Sequence, residues 1–108
     1  WGCSLDQLPA GHEGPSIIAN YLGQLTANLA LTCAVDRVVF GGGVMGTPGL
    51  LDLVREAARR QLNGYLQHAC YGDAIHELVV EPGLGSLSGV RGALLLAENA
   101  WIEAQAEA

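Results

Sequence analysis

Six residues near the middle of the chain, Gly41-Gly42-Gly43-Val44-Met45-Gly46, have the make-up of a ligand loop. They follow Arg37-Val38-Val39-Phe40, a β-branched and aromatic run that reads as a short buried strand. The glycines therefore fall at a strand's carboxyl end, where ligands enter α/β sheets. Three successive residues without a Cβ let a flat ligand approach the backbone closely; without a ligand, the same residues make a tight turn. The spacing satisfies G-x-G-x-x-G literally, which raises a dinucleotide fingerprint. Two features speak against it. The next helical pattern starts at Pro48, beyond the glycines, and no acidic residue ends a second strand about twenty residues on. Glu56 sits inside a helical pattern, and Glu81 is forty residues past Gly41. A lysine-bearing phosphate loop is excluded because the chain has no lysine.

The remaining chemistry-bearing residues are sparse. His68 and Cys70, with His76 further on, do not reach the four ligands in paired spacing that a zinc site needs, so no metal site is expected. His12-Glu13 falls in a loop. Asp36, Asp52 and Asp73 stand near loop positions, in no spacing that imposes a general base. Ser86 and Ser88 lack a G-x-S-x-G elbow and read as residues at a helix start. No catalytic residue is assigned.

The elements that position these residues follow from periodicity and breakers. Residues 1–14 are irregular, broken by Pro9, Gly11 and Gly14. A helix starts at Gly14-Pro15, and Ile17, Ile18, Tyr21, Leu22, Leu25 and Leu29 define its apolar face. Asn20, Gln24 and Asn28 occupy the other face, polar but uncharged, so this helix is expected to be covered on both sides. Thr47-Pro48 reads as the cap and first residue of a second helix reaching about Tyr65, with Glu56 and Arg60 spaced for an ion pair. Residues 66–73 form a loop. Ile75 to Val80 reads as a second strand stopped by Pro82, with His76 facing outward. A last helix runs from about Leu87 to Ala104. The fold class is α/β, helix-strand-helix-strand-helix, with one parallel βαβ unit.

Composition bounds the function. One hundred and eight residues make one domain, half of them hydrophobic and only 15% charged. A net charge of −6 with five basic residues gives no basic patch for a nucleic-acid backbone, so no nucleic acid is expected as partner. The longest uncharged run, Gly14 to Val35, carries six polar side chains, too many for a lipid-facing span. Three cysteines at wide spacing form no disulfide framework and favour a reducing compartment.

An ordered set of motifs then narrows the reading. Val38-Val39-Phe40-Gly41-Gly42-Gly43-Val44-Met45, then Asn63-Gly64-Tyr65, then Pro82-Gly83-Leu84-Gly85-Ser86 with Gly89, Gly92-Ala93 and Leu96-Ala97, resembles the C-terminal part of the ROK family of bacterial sugar kinases, its fructokinases in particular. The resemblance implies an actin-like, ribonuclease-H-like ATPase fold of two lobes, with residues 1–108 forming the C-terminal portion of the C-terminal lobe. It implies an ATP- and Mg²⁺-dependent transfer of phosphate to a hexose in a cytoplasmic, homodimeric enzyme. Gly42, Gly43, Val44, Met45 and Gly46 match the loop that contacts adenosine, and the Gly85–Ala93 segment matches a hinge connection between lobes. Leu87 and Ser88 depart from the Asn and Ala common in the family, as does the lack of an aromatic near Pro15.

The family's phosphate loop, its catalytic-aspartate segment and its zinc site have no counterpart here. The expectation is a C-terminal fragment, inactive alone, with any structural zinc upstream. Two other readings stay open from residues alone: a sugar-responsive repressor of the same family, and a ligand-free oligomerisation domain.

Overall fold

The computed structural model describes all residues, 1–108. Its main helices are α1 (Gly14–Cys33), α2 (Leu50–Leu62), the one-turn α3 (Ile75–Leu78) and α4 (Ser88–Glu107). Two short strands, β1 (Val38–Val39) and β2 (Val79–Val80), pair in parallel with Val38 opposite Val79 and Val39 opposite Val80. The expected α/β arrangement, with α2 in the connection between parallel strands, is present. No helix is long and apolar enough to cross a membrane.

The body is a helix pair laid beside this small sheet. Leu50, Leu51, Val54, Ala57, Ala58 and Leu62 form the buried stripe of α2, as the helical period requires. The face of α1 that meets it corrects the sequence expectation. Its buried residues are small: Ala19, Gly23, Thr26, Ala27 and Ala30. A Cβ on Gly23 would stand 2.6 Å from the Ala57 Cβ and 2.8 Å from the Ala58 backbone nitrogen, so the two helices meet nearly backbone to backbone. Thr26 is fully buried, and its hydroxyl donates to the Leu22 carbonyl at 2.9 Å. Of the larger residues expected inward, Ile18 and Leu22 do pack against the core, half-buried. Tyr21 and Leu25 instead point out, 63% and 48% exposed, beside Gln24 and Asn28.

Three element ends also differ. Thr47-Pro48 does not start α2. The Leu50 amide donates to the Thr47 carbonyl at 3.2 Å, and Gly49 takes φ 77° and ψ −4°. That is the third position of a type II turn, where Pro-Gly is favoured. α2 stops at Leu62 rather than Tyr65 because Asn63 and Gly64 both adopt positive φ, 45° and 71°.

The run Ile75–Val80 is not all strand. Ile75 and Leu78 are both buried. An i,i+3 pair shares a face only on a helix, since a strand would send the two to opposite sides. One helical turn therefore precedes a two-residue strand. α4 runs to Glu107, and none of its residues is buried. Nor do Glu56 and Arg60 pair; the ion pairs are Arg55–Asp52 at 3.1 Å and Arg59–Asp73 at 2.6 Å.

Candidate functional site

The parallel register builds the site. Val39 faces Val80, so both strands end together, and the Phe40 amide still donates to the Val80 carbonyl at 3.1 Å. The glycine loop after β1 and the Glu81–Gly89 segment after β2 therefore leave the same carboxyl edge. Between them lies a cleft of about 910 Å³, walled also by Thr47–Gly49, Leu51, Asp52 and Arg55. The two loops nearly touch at its base, where a Cβ on Gly41 would come 3.1 Å from the Pro82 ring.

The glycines leave this space open. Gly42 holds φ 95°, a conformation that favours glycine, and a Cβ there would meet nothing within 4 Å. Gly43 and Gly46 are equally clear, as are Gly85 and Gly89 across the cleft. Gly43–Gly46 curl into a 3-10 turn whose Met45 amide donates to the Gly42 carbonyl at 3.2 Å. Of the five residues expected at the loop, Gly42, Gly43, Met45 and Gly46 line the cleft. Val44 does not; its side chain turns outward, 55% exposed. Met45 is half-buried and also packs on the core, which anchors the loop.

Three charged residues of the cleft were missed as such. Arg55 donates through Nε to the Val79 carbonyl at 2.9 Å and through Nη1 to Asp52 at 3.1 Å. Its signal in the sequence was the i,i+3 spacing from Asp52. Glu81 was set aside for its distance along the chain, and strand pairing removes that distance. Ser88 lies at the far rim, its hydroxyl donating to the Gly85 carbonyl at 2.7 Å, as a helix-start residue. A glycine-walled, half-open cleft with one guanidinium can receive a flat, polar-edged ligand. It has no nucleophile with an adjacent base.

The other candidates gather elsewhere. His68 Nδ1 lies 3.1 Å from Cys70 Sγ and accepts the Cys70 amide, a contact that closes a turn. His12 Nδ1 accepts the Gly14 amide at 2.9 Å, and so satisfies one of the open donors at the start of α1. His76 is exposed, on α3 rather than on a strand. Tyr71 donates its hydroxyl to the Val35 carbonyl at 3.2 Å. Burial raises its pKa above the ordinary tyrosine value, and Cys70 and Asp36 add to the effect.

Comparison with known proteins decides the family. The model of the ROK family matches residues 10–100. The chain belongs to the ROK family. A fructokinase of Zymomonas mobilis is 37% identical over 99 residues, covering 90% of this chain and 32% of that protein. A fructokinase of Pediococcus pentosaceus is 37% identical over 84 residues, covering 78% of this chain and 28% of its own length. This ROK chain thus spans about a third of the length of the curated relatives it matches. The match takes in both loops of the cleft and the α2 wall between them.

Proposed function

We propose that this chain is the adenosine-binding side of an ATP-dependent, fructokinase-like sugar kinase in the cytoplasm, built on an actin-like lobe. The observation that carries the reading is the cleft at the shared carboxyl edge of β1 and β2. Its two glycine loops leave room for a flat base and a ribose where any side chain would intrude. Gly42, Gly43 and Gly46 would offer backbone to the nucleoside, with the Met45 side chain at the base's face. Val44, turned away, would act on loop shape alone. The likeness to two fructokinases supports a hexose acceptor.

Phosphoryl transfer rests on positioning and charge neutralisation around the γ-phosphate, with Mg²⁺ and a base at the acceptor hydroxyl. Two carboxylates line the cleft, Asp52, which pairs with Arg55 at 3.1 Å, and Glu81; one or two carboxylates beside the nucleotide's own phosphates are what a Mg²⁺ ion would need. In this reading the base and the sugar contacts come from outside these residues, and the 108 residues alone are expected not to turn over fructose. The exposed apolar side chains of α4, Trp101 and Leu94 among them, suit packing against that other part.

The test is an amide NMR titration of the chain with ATP. Shifts confined to Gly41–Gly49 and Glu81–Gly89 are the expected result. Shifts absent there at millimolar ATP, in a folded chain, would dismiss the reading.

A further inference from the structure

Asp36-Arg37 lead into β1 and Glu77 comes just before β2, so these three charged residues share the amino edge of the parallel pair, away from the glycine loops. With His68, Cys70 and Val80 they wall a second cavity of about 680 Å³. Here a nucleophile does meet a base: Cys70 Sγ lies 3.1 Å from His68 Nδ1. The Cys70 amide donates to the same nitrogen at 3.3 Å, so Nδ1 carries a lone pair and the ring hydrogen sits on Nε2. No third histidine, cysteine or carboxylate joins the two as a metal ligand. Asp36, Arg37 and Glu77 are exposed and take part in neither of the chain's ion pairs.

We propose that this cavity is a thiol–disulfide exchange site that takes the disulfide of a free amino acid. His68 Nδ1 takes the Cys70 proton, and the thiolate attacks one sulfur of the disulfide. The S–S bond breaks, its electron pair leaves with the other sulfur, and His68 returns the proton to that leaving group. Cys70 ends as a mixed disulfide and one amino-acid thiol is released; the disulfide itself is the oxidant. The charges of the cavity select the reagent. Each half of such a disulfide carries an ammonium and a carboxylate near its sulfur. Asp36 and Glu77 suit the first, and the Arg37 guanidinium suits the second. Excess free thiol reverses the exchange, so the state of Cys70 follows the thiol–disulfide balance around the chain.

The other two cysteines supply the contrast. Cys3 and Cys33 are exposed, whereas Cys70 is half-buried, so exposure alone would rank Cys70 last. Neither of them meets a histidine; Cys33 Sγ has only the Thr32 hydroxyl, at 3.5 Å. A positioned base contributes about a hundredfold or more, which reverses the order and puts Cys70 first. The inference stands whether or not the glycine cleft binds nucleotide.

The experiment exposes the reduced chain to an excess of L-cystine and follows each cysteine by peptide mapping with time. Cys70 should gain its half-cystine at least about tenfold faster than Cys3 or Cys33. His68→Asn keeps an oxygen that can accept the Cys70 amide but has no base to take the thiol proton. It should slow Cys70 by at least about tenfold, with Cys3, Cys33 and the circular-dichroism spectrum unchanged. Arg37→Gln should slow the reaction of Cys70 with cystine but not with the uncharged 2-hydroxyethyl disulfide. Labelling of Cys3 or Cys33 ahead of Cys70 in the parent chain overturns the proposal. So does a His68→Asn chain whose Cys70 reacts as before, or an Arg37→Gln chain that treats the two disulfides as the parent does.

Discussion

Arg55 on α2 reaches across to the end of β2 and donates its Nε hydrogen to the Val79 carbonyl at 2.9 Å. The bond ties the helix after the glycine loop to the strand before the second loop, and so fixes the distance between the walls of the cleft. The same guanidinium meets Asp52, but the two partners differ in environment. Val79 is fully buried, whereas the Asp52 side chain is 81% exposed.

Removing each partner should therefore have unequal effects. Arg55→Ala leaves a buried carbonyl short of a charged donor and should destabilise the chain by about 1–3 kcal/mol. Asp52→Asn removes only an exposed ion pair, worth under about 1 kcal/mol. Urea denaturation of both variants is the measurement. Equal losses would mean that the Arg55–Val79 bond does not hold the two walls together.

Gly23 should respond against its helix propensity. Replacing a helical glycine by alanine normally stabilises by about 0.5–1 kcal/mol. At Gly23 the added Cβ would lie 2.6 Å from that of Ala57 and would force α1 and α2 apart. Overpacking of this kind costs about 1–3 kcal/mol. Gly92, in α4 with nothing within 4 Å, is the matched control. Thermal melts should show Gly23→Ala lowering the midpoint and Gly92→Ala holding or raising it. A stabilised Gly23→Ala variant would contradict the close α1–α2 contact.

These two sites also show which features can be read from sequence. The strand–glycine–helix order was legible because Val38-Val39-Phe40, the glycines and the α2 period each carry a local signal. The two-loop cleft was only half legible, since Glu81 joins it through strand pairing, a long-range event. The inward face of α1 is legible at Ile18 and Leu22 but not at Tyr21 and Leu25, for a physical reason. Periodicity ranks residues by size and apolarity, while close helix packing on α2 favours Gly23, Ala27 and Ala30 over Tyr21 and Leu25. Likewise Ile75 and Leu78 look like strand residues one by one, and only their joint burial shows the helical turn.

Tyr71 should confer sensitivity to alkali. Its folded-state pKa is raised above the ordinary 10.0 by burial, then by Cys70 and Asp36. The folded chain thus holds this proton more tightly than the unfolded chain. Stability is unaffected while both states stay protonated, below about pH 10, and falls as pH rises from there through the folded-state value. Tyr71→Phe should flatten that alkaline fall, while losing a little stability at pH 7 with the Val35 hydrogen bond. Urea midpoints against pH for both proteins decide the matter. Parallel curves would remove Tyr71 as the source.

The decisive substitution in the cleft is at Gly43 rather than Gly42. Gly42 sits at φ 95°, so a side chain there costs about 1–2 kcal/mol in backbone strain, and any loss of ligand would be confounded with a distorted loop. Gly43 is not among the residues at positive φ, and a Cβ on it meets nothing within 4 Å. Gly43→Val should therefore leave the thermal midpoint near that of the parent chain. Its two methyl groups would stand in the space assigned to adenosine. Displacing contacts worth about 1.4 kcal/mol weakens binding tenfold, so the ATP dissociation constant should rise by at least about that factor. The amide shifts of Gly41–Gly49 on adding ATP, followed in both proteins, give the two constants directly. A Gly43→Val chain that folds normally and binds ATP as well as the parent would show that the loop is a turn and the adenosine site lies elsewhere.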